Sequence, residues 1–239
     1  MPTETILASH LSIGFGKHTV VANIDFTTTP GELIVLIGTN GSGKSALLKT
    51  LSGMLAPISG SVTVLGGDPG KSPRRVAYLP QHPISSHTLP LRVRDVVAMG
   101  RFAHLGLFGR ESNQDRKILQ TSLERTGAIE FAEKPLRDLS GGQQQRTHLA
   151  QVLTRQAEIL LLDEPTAGLD INGRKLVAEI IANERARGVT VVMATHDLSD
   201  AQDAAVVMLL AQRVVSIGPP DVALRDEYLR ECFGFTQPH

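Results

Sequence analysis

Cysteine is almost missing from this chain of 239 residues, where Cys232 is the single one. One thiol cannot close an internal disulfide, and a fold without that staple suits a reducing compartment. Near the C-terminus, Cys232 reads as a small buried filler rather than a reactive group. Neither sign of charge is in surplus: 24 basic residues face 24 acidic ones, so no overall field draws in nucleic acid or anionic lipid. No apolar run is long enough to cross a bilayer and Met1–Thr5 is polar, so neither a spanning helix nor a signal peptide is expected. Work at a membrane would then go through a partner. There is no heptad run, no disordered tract and no internal repeat, which points to one domain rather than a tandem pair.

What is present begins with Ile34–Leu48, I-V-L-I-G-T-N-G-S-G-K-S-A-L-L. Leu33–Ile37 is a continuous apolar run, as expected of a strand buried on both faces. Gly38 opens a turn that Gly41 and Gly43 keep free of side chains, and Ala46, Leu47, Leu48 and Leu51 then repeat at helical spacing. Strand, glycine loop and helix in this order are the context that the phosphate-loop pattern G-x-x-x-x-G-K-[ST] requires. Residues 38–46 (Gly38, Thr39, Asn40, Gly41, Ser42, Gly43, Lys44, Ser45 and Ala46) are therefore expected to wrap phosphates with backbone N–H groups at a helix N-terminus. Lys44 would reach the β- and γ-phosphates, and the Ser45 hydroxyl would ligate magnesium.

Ile159–Pro165, I-L-L-L-D-E-P, ends a buried strand in two carboxylates, at the edge where open α/β sheets bind ligands. Asp163 suits the magnesium shell, and Glu164 suits the polarisation of an attacking water. Leu139-Ser140-Gly141-Gly142-Gln143 places glycines at a helix start, leaving amides open to an anion, although Ser140 is also an ordinary N-cap residue.

Taken in order, Thr5–Phe15 and Thr19–Thr28 read as antiparallel strands, followed by strands at Ser61–Leu65 and Arg75–Leu79. From there to about Gln156 the chain reads mainly helical, with helices at Val93–Met99, Asn113–Thr126 and Gly142–Thr154. Alternation then resumes: strand Ile159–Asp163, helix Ile171–Ala186, strands Val189–Ala194 and Val206–Leu210, and a closing amphipathic helix over Pro220–Cys232. The expected fold is a phosphate-loop α/β domain with a mostly parallel sheet, an N-terminal antiparallel β subdomain and an inserted helical subdomain. The nucleotide-binding core would be 1–81 and 157–239, and the helical part 82–156.

With L-S-G-G-Q beside the phosphate loop and the Asp163-Glu164 pair, the sequence resembles, over nearly its whole length, the ATP-binding subunit of an ATP-binding-cassette transporter. That resemblance implies that Phe15 stacks on adenine, Gln81 contacts magnesium and links the site to the membrane partner, and His196 contacts the γ-phosphate. Ala167-Gly168-Leu169-Asp170 would be the loop that signals between copies. It implies a head-to-tail homodimer with ATP between the phosphate loop of one copy and Ser140, Gly141, Gly142 and Gln143 of the other. It also implies permease subunits, an indirect substrate-binding protein, and a place at the cytoplasmic face of the membrane. Two positions depart from the pattern. Ala46 stands where threonine usually follows the serine, and Ala167 where serine is frequent; weaker ATP binding and an altered signal between copies are expected.

The segment Leu89–Arg110, with V-R-D-V-V-A-M-G-R and H-L-G, resembles importers of manganese, zinc or iron ions, as does the tail Gly218-Pro219-Pro220 to Phe233-Gly234. Importers of iron-siderophore, haem and cobalamin carry a similar element, so a chelate cargo is the alternative, and an exporter ATPase a further one. His82, His87 and His104 match no common ligand spacing, and a solvated or partner-facing loop is expected there. A soluble relative acting on DNA or ribosomes is disfavoured by the single cassette and the zero net charge.

Overall fold

Apolar runs bounded by glycine, proline and carboxylates become strands buried on both faces in the computed structural model, which describes residues 4–81, 91–106 and 109–234. β1 (Ile6–Phe15) and β2 (His18–Thr28) pair antiparallel through a tight turn. After β3 (Leu33–Ile37) and α1 (Lys44–Leu51), β4 (Ser59–Val64) returns antiparallel to the other edge of β1, giving the order β2-β1-β4. β5 (Val76–Leu79) enters the larger sheet, which β6 (Ile159–Asp163), β7 (Thr190–Thr195), β8 (Val206–Leu210) and β9 (Val214–Gly218) complete in the order β5-β6-β7-β3-β8-β9. Every pair there is parallel except β8 with β9.

Between β5 and β6 the chain forms α2 (Val93–Ala98), α3 (Phe102–Leu105), α4 (Asn113–Arg125) and α5 (Gly141–Thr154). α6 (Ile171–Ala186) connects β6 to β7, and α7 (Pro220–Ala223) and α8 (Asp226–Phe233) follow β9. The two-residue period of the central strands divides the core. Val35, Ile37, Leu160, Leu162, Val191 and Met193 face α5, α6 and the C-terminal helices. Ile34, Leu36, Ile159, Leu161, Val192 and Ala194 face α1 and the small sheet. α2, α4 and α5 pack a separate cluster around Val93, Val97, Leu119, Leu123 and Phe131.

Two expectations need correction. The closing helix over Pro220–Cys232 is broken: Leu224 leaves the helix and Arg225, extended at ψ 146°, caps a second one. Val214–Gly218 was not expected as a strand; it folds back on β8 through a turn in which Gln212 takes φ 56°. Its apolar signal is short and ends at Gly218-Pro219, so nothing local separates it from a loop. Within the segment Leu89–Arg110, residues 89, 90, 107 and 108 lie outside the described residues, as do His82 and His87.

Candidate nucleotide site

The parallel register brings the site together. Asp163 pairs with Ala194 and Ile37 with Thr195, so β3, β6 and β7 end at one edge. Gly38, Glu164 and His196 are the next residues of the three strands, and they emerge side by side where a parallel sheet receives its ligands.

The phosphate loop needs its glycines. Gly43 caps α1 at φ 112°, and a Cβ there would lie 2.4 Å from Cγ2 of Val21. A Cβ on Gly38 would lie 2.1 Å from the carbonyl oxygen of Leu210. Nζ of Lys44 donates to the carbonyl oxygens of Gly38 (2.6 Å) and Thr39 (3.2 Å), so the loop's own backbone holds the ammonium in the cavity. Burial pulls the Lys44 pKa below its ordinary value, against the opposing pull of Glu164 and Asp163.

Both carboxylates are buried. Oδ2 of Asp163 accepts from the Tyr78 hydroxyl at 3.4 Å, and Oδ1 has no hydrogen-bond partner among the described residues. Burial, reinforced by Asp163, raises the Tyr78 hydroxyl far above its ordinary pKa, so it stays a donor. An unpartnered buried carboxylate oxygen is costly, and together with the oxygens of Ser45 and Gln81 it fits a hard divalent cation. Glu164 takes the left-handed conformation, φ 52°, and its Oε2 accepts from Nδ1 of His196 at 2.8 Å. The His196 ring is otherwise mostly open to solvent.

Phe15, Asn40, Lys44, Ser45, Ala46, Gln81, Asp163 and Glu164 line one cavity of about 370 Å³. Phe15 is 52% exposed at its edge, a flat apolar face available for stacking. Residues 140–143 are not brought into this cavity. Ser140, Gly141, Gly142 and Gln143 line another, of about 700 Å³, with Gly168 and Asp170, and the two cavities share no residue. Ser140 does act as the N-cap of α5: its Oγ accepts from the Gln143 amide at 3.3 Å, and Oε1 of Gln143 accepts from the Ser140 amide at 3.0 Å. Ala167 is exposed beside Gly168. His104 lies apart from both cavities, its pKa lowered by burial and by Arg101, Arg74 and Arg155.

Sequence reasoning missed Tyr78 and Gln145. Tyr78 alternates with the buried Ala77 and Leu79, which suggested only strand. Nε2 of Gln145 donates to the carbonyl oxygens of Pro165 (3.1 Å) and Glu164 (3.4 Å). The run Gln143-Gln144-Gln145 held the only signal for it, since glutamine on the buried side of a helix has to find partners.

Comparison with known proteins agrees with this geometry. The sequence pattern of the ABC transporter family matches residues 21–167. The manganese transport system ATP-binding protein MntB of Halalkalibacterium halodurans is 34% identical over 215 residues, 90% of this chain and 86% of that protein. The iron(3+)-hydroxamate import ATP-binding protein FhuC of Bacillus subtilis is 36% identical over 204 residues, 83% of this chain and 75% of that protein. Among solved structures, one described as an ABC transporter of metal-chelate type, in an inward-facing conformation, superposes with a TM-score of 0.84 at 26% identity. It covers 97% of this chain and 90% of that one.

Proposed function

The chain belongs to the ABC transporter family as its ATP-binding, ATP-hydrolysing subunit, and from that premise we propose that it energises import of a metal ion: manganese, zinc or iron. The match to the manganese transport ATPase, which runs through nearly the whole chain, carries this reading. The resemblance of residues 89–110 to the same importers supports it.

In the proposed reaction the base of ATP stacks on Phe15, an arrangement worth about 1–3 kcal/mol. The loop amides of residues 38–46 cradle the phosphates, and Lys44 neutralises charge on the β- and γ-phosphates. Glu164 takes a proton from water as the water oxygen attacks the γ-phosphorus and ADP leaves. His196 holds that carboxylate on one side and reaches toward the γ-phosphate on the other. Asp163, Ser45 and Gln81 would hold magnesium, whose charge offsets the charge that develops on the transferred phosphoryl group.

Residues 140–143 lie in a cavity separate from the phosphate loop, and two half-sites on one chain favour a head-to-tail dimer that completes each with the other. In this reading residues 82–156 act as a helical subdomain moving against a core of 1–81 and 157–239, and Gln81 stands at their junction. No helix among the described residues is long and apolar enough to cross a membrane. Contact with the bilayer at its cytoplasmic face would be made by permease subunits, with cargo delivered by a substrate-binding protein.

A chelated metal is the second reading, favoured by the likeness to the hydroxamate-import ATPase and to the metal-chelate transporter. Uptake by cells lacking this chain, complemented by wild type or Lys44→Ala, separates the two. Loss of manganese, zinc or iron uptake that only wild type restores is the expected result. Unchanged ion uptake with a loss of siderophore or haem uptake would move the cargo to the chelate, and no uptake defect would overturn import.

A further inference from the structure

We infer that Gln145 is a positioning residue for Glu164, so that the orientation of α5 decides whether the carboxylate stands ready to activate water. The inference rests on the role proposed above for Glu164. That residue occupies a backbone region which side chains other than glycine rarely adopt, and such a conformation persists only where its surroundings over-determine it.

Its restraints come from three directions. From the sheet, the Glu164 amide donates to the Ala194 carbonyl at 2.9 Å and the carboxylate accepts from His196. Within the turn, the Ala167 amide donates to the Glu164 carbonyl at 3.1 Å. The remaining restraint is the side-chain amide of Gln145, which straddles the Glu164 and Pro165 carbonyls. It reaches across from α5, and the residue is buried at 8% exposure, so in the seated position the amide, not water, satisfies these carbonyls.

The start of α5 is the other half of the device. Gly141 and Gly142 precede Gln145 by one helical turn and share its face. Gly142 lies against Leu169 in the loop after β6: a Cβ there would lie 3.4 Å from the Leu169 side chain. Whatever seats on residues 140–143 therefore loads the same short, rigid length of helix that holds the Glu164 turn. A tilt of α5 breaks the Gln145 bonds and leaves the strained turn held only by the sheet and by its own Ala167 amide, whereas a seated α5 adds a third restraint. Hydrolysis then depends on what occupies the α5 end, although no residue of α5 lines the phosphate-loop cavity of its own chain.

The test is steady-state ATP hydrolysis by the full-length chain with magnesium, alongside equilibrium ATP binding, for Gln145→Met, Glu164→Gln and the double variant. Gln145→Met keeps the volume and removes the donor. It should lower kcat about tenfold, the scale of a small misplacement of a reacting group, with ATP affinity changed less than about twofold. The double variant should be no slower than Glu164→Gln, because each acts through the same carboxylate. Damage to the fold would instead weaken ATP binding and multiply the two losses, and that result overturns the inference, as does wild-type kcat in Gln145→Met. Should Gln145→Met fail to fold, Gln145→Asn, which keeps an amide but shortens its reach, must show the same split. If Glu164→Gln itself turns over normally, the role of Glu164 falls and this inference with it. If Glu164→Gln is slow but Gln145→Met is not, only the inference falls.

Discussion

Nδ1 of His196 donates to Oε2 of Glu164 across 2.8 Å, joining a ring mostly in solvent to a buried carboxylate. The contact is a product of topology: β6 and β7 are parallel neighbours in register, so the residues that follow Asp163 and Thr195 leave the sheet together. It orients Glu164 and leaves the rest of the imidazole open to solvent. Glu164→Gln should slow ATP turnover by about 10²–10⁴-fold while ATP still binds. His196→Ala should slow it too, with the pair of changes less than multiplicative because the two groups act as one unit. Turnover assays paired with nucleotide-binding titrations check both; near-normal turnover in Glu164→Gln would remove the general base.

Lys44 carries a cost in the ligand-free protein. Its pKa is lowered by burial, with Glu164 and Asp163 only partly opposing the shift. The sign follows from proton counting. Between the lowered folded value and the ordinary lysine value the unfolded chain binds the extra proton, so stability rises with pH across that window. Ligand-free protein should therefore gain thermal stability on the alkaline side, and Lys44→Met should abolish the gain. The same variant should bind ATP more weakly by about 2–5 kcal/mol, the cost of losing one partner of a buried charged contact. Melting curves against pH, with and without ATP, read both effects. An unchanged alkaline rise in Lys44→Met would assign it to another group.

Much of this was legible because the informative residues are local. The run Leu33–Ile37 with its glycines, and Ile159–Asp163 with its carboxylates, each announce strand and loop chemistry within a few positions. Parallel pairing then brings those ends together without further instruction. Contacts made by residues far apart in the chain were not legible. Tyr78 meets Asp163 across 85 positions, and Gln145 meets Pro165 across 20. Nor does glutamate's own preference foretell φ 52° at Glu164; tertiary restraints impose it. β9 and the break before α8 escaped for the opposite reason, since short apolar stretches beside Gly218-Pro219-Pro220 suit several local structures.

Gly43 is required on two independent counts, its φ of 112° and the approach of Val21 to where a side chain would begin. Gly43→Ala should lower stability by about 1–3 kcal/mol from overpacking alone. For a chain of this size that corresponds to a fall in Tm of about 2–4 °C per kcal/mol. Because the residue caps α1 behind Lys44, ATP affinity should fall as well. Gly41→Ala is the internal comparison: its φ is 80° but a Cβ there meets open space, so it should cost less. Equal losses in the two variants would mean that backbone conformation, not the Val21 contact, sets the requirement.

Asp115 ties the helical region together, and its acid titration should be visible in the unfolding of the whole chain. It completes the capping box of α4 with Ser112 and accepts from Nε of Arg101 at 2.8 Å, with both side chains largely buried. The Ser112 hydroxyl and amide, followed by Arg101, lower its pKa from 3.8 to about 2. A depressed carboxyl pKa contributes stability that is complete above the unfolded value and is lost as pH falls through the folded one. That contribution should therefore disappear between about pH 4 and pH 2. Asp115→Asn keeps a capping oxygen but leaves Arg101 without its carboxylate, so it should cost about 3 kcal/mol or more at neutral pH. The difference between wild type and variant should then shrink steadily as the solution is acidified over the same interval. Urea unfolding at a series of pH values measures that difference directly. A gap that stays constant down to pH 2 would mean that Arg101 and Ser112 stabilise Asp115 by geometry alone, with no preference for its charged form.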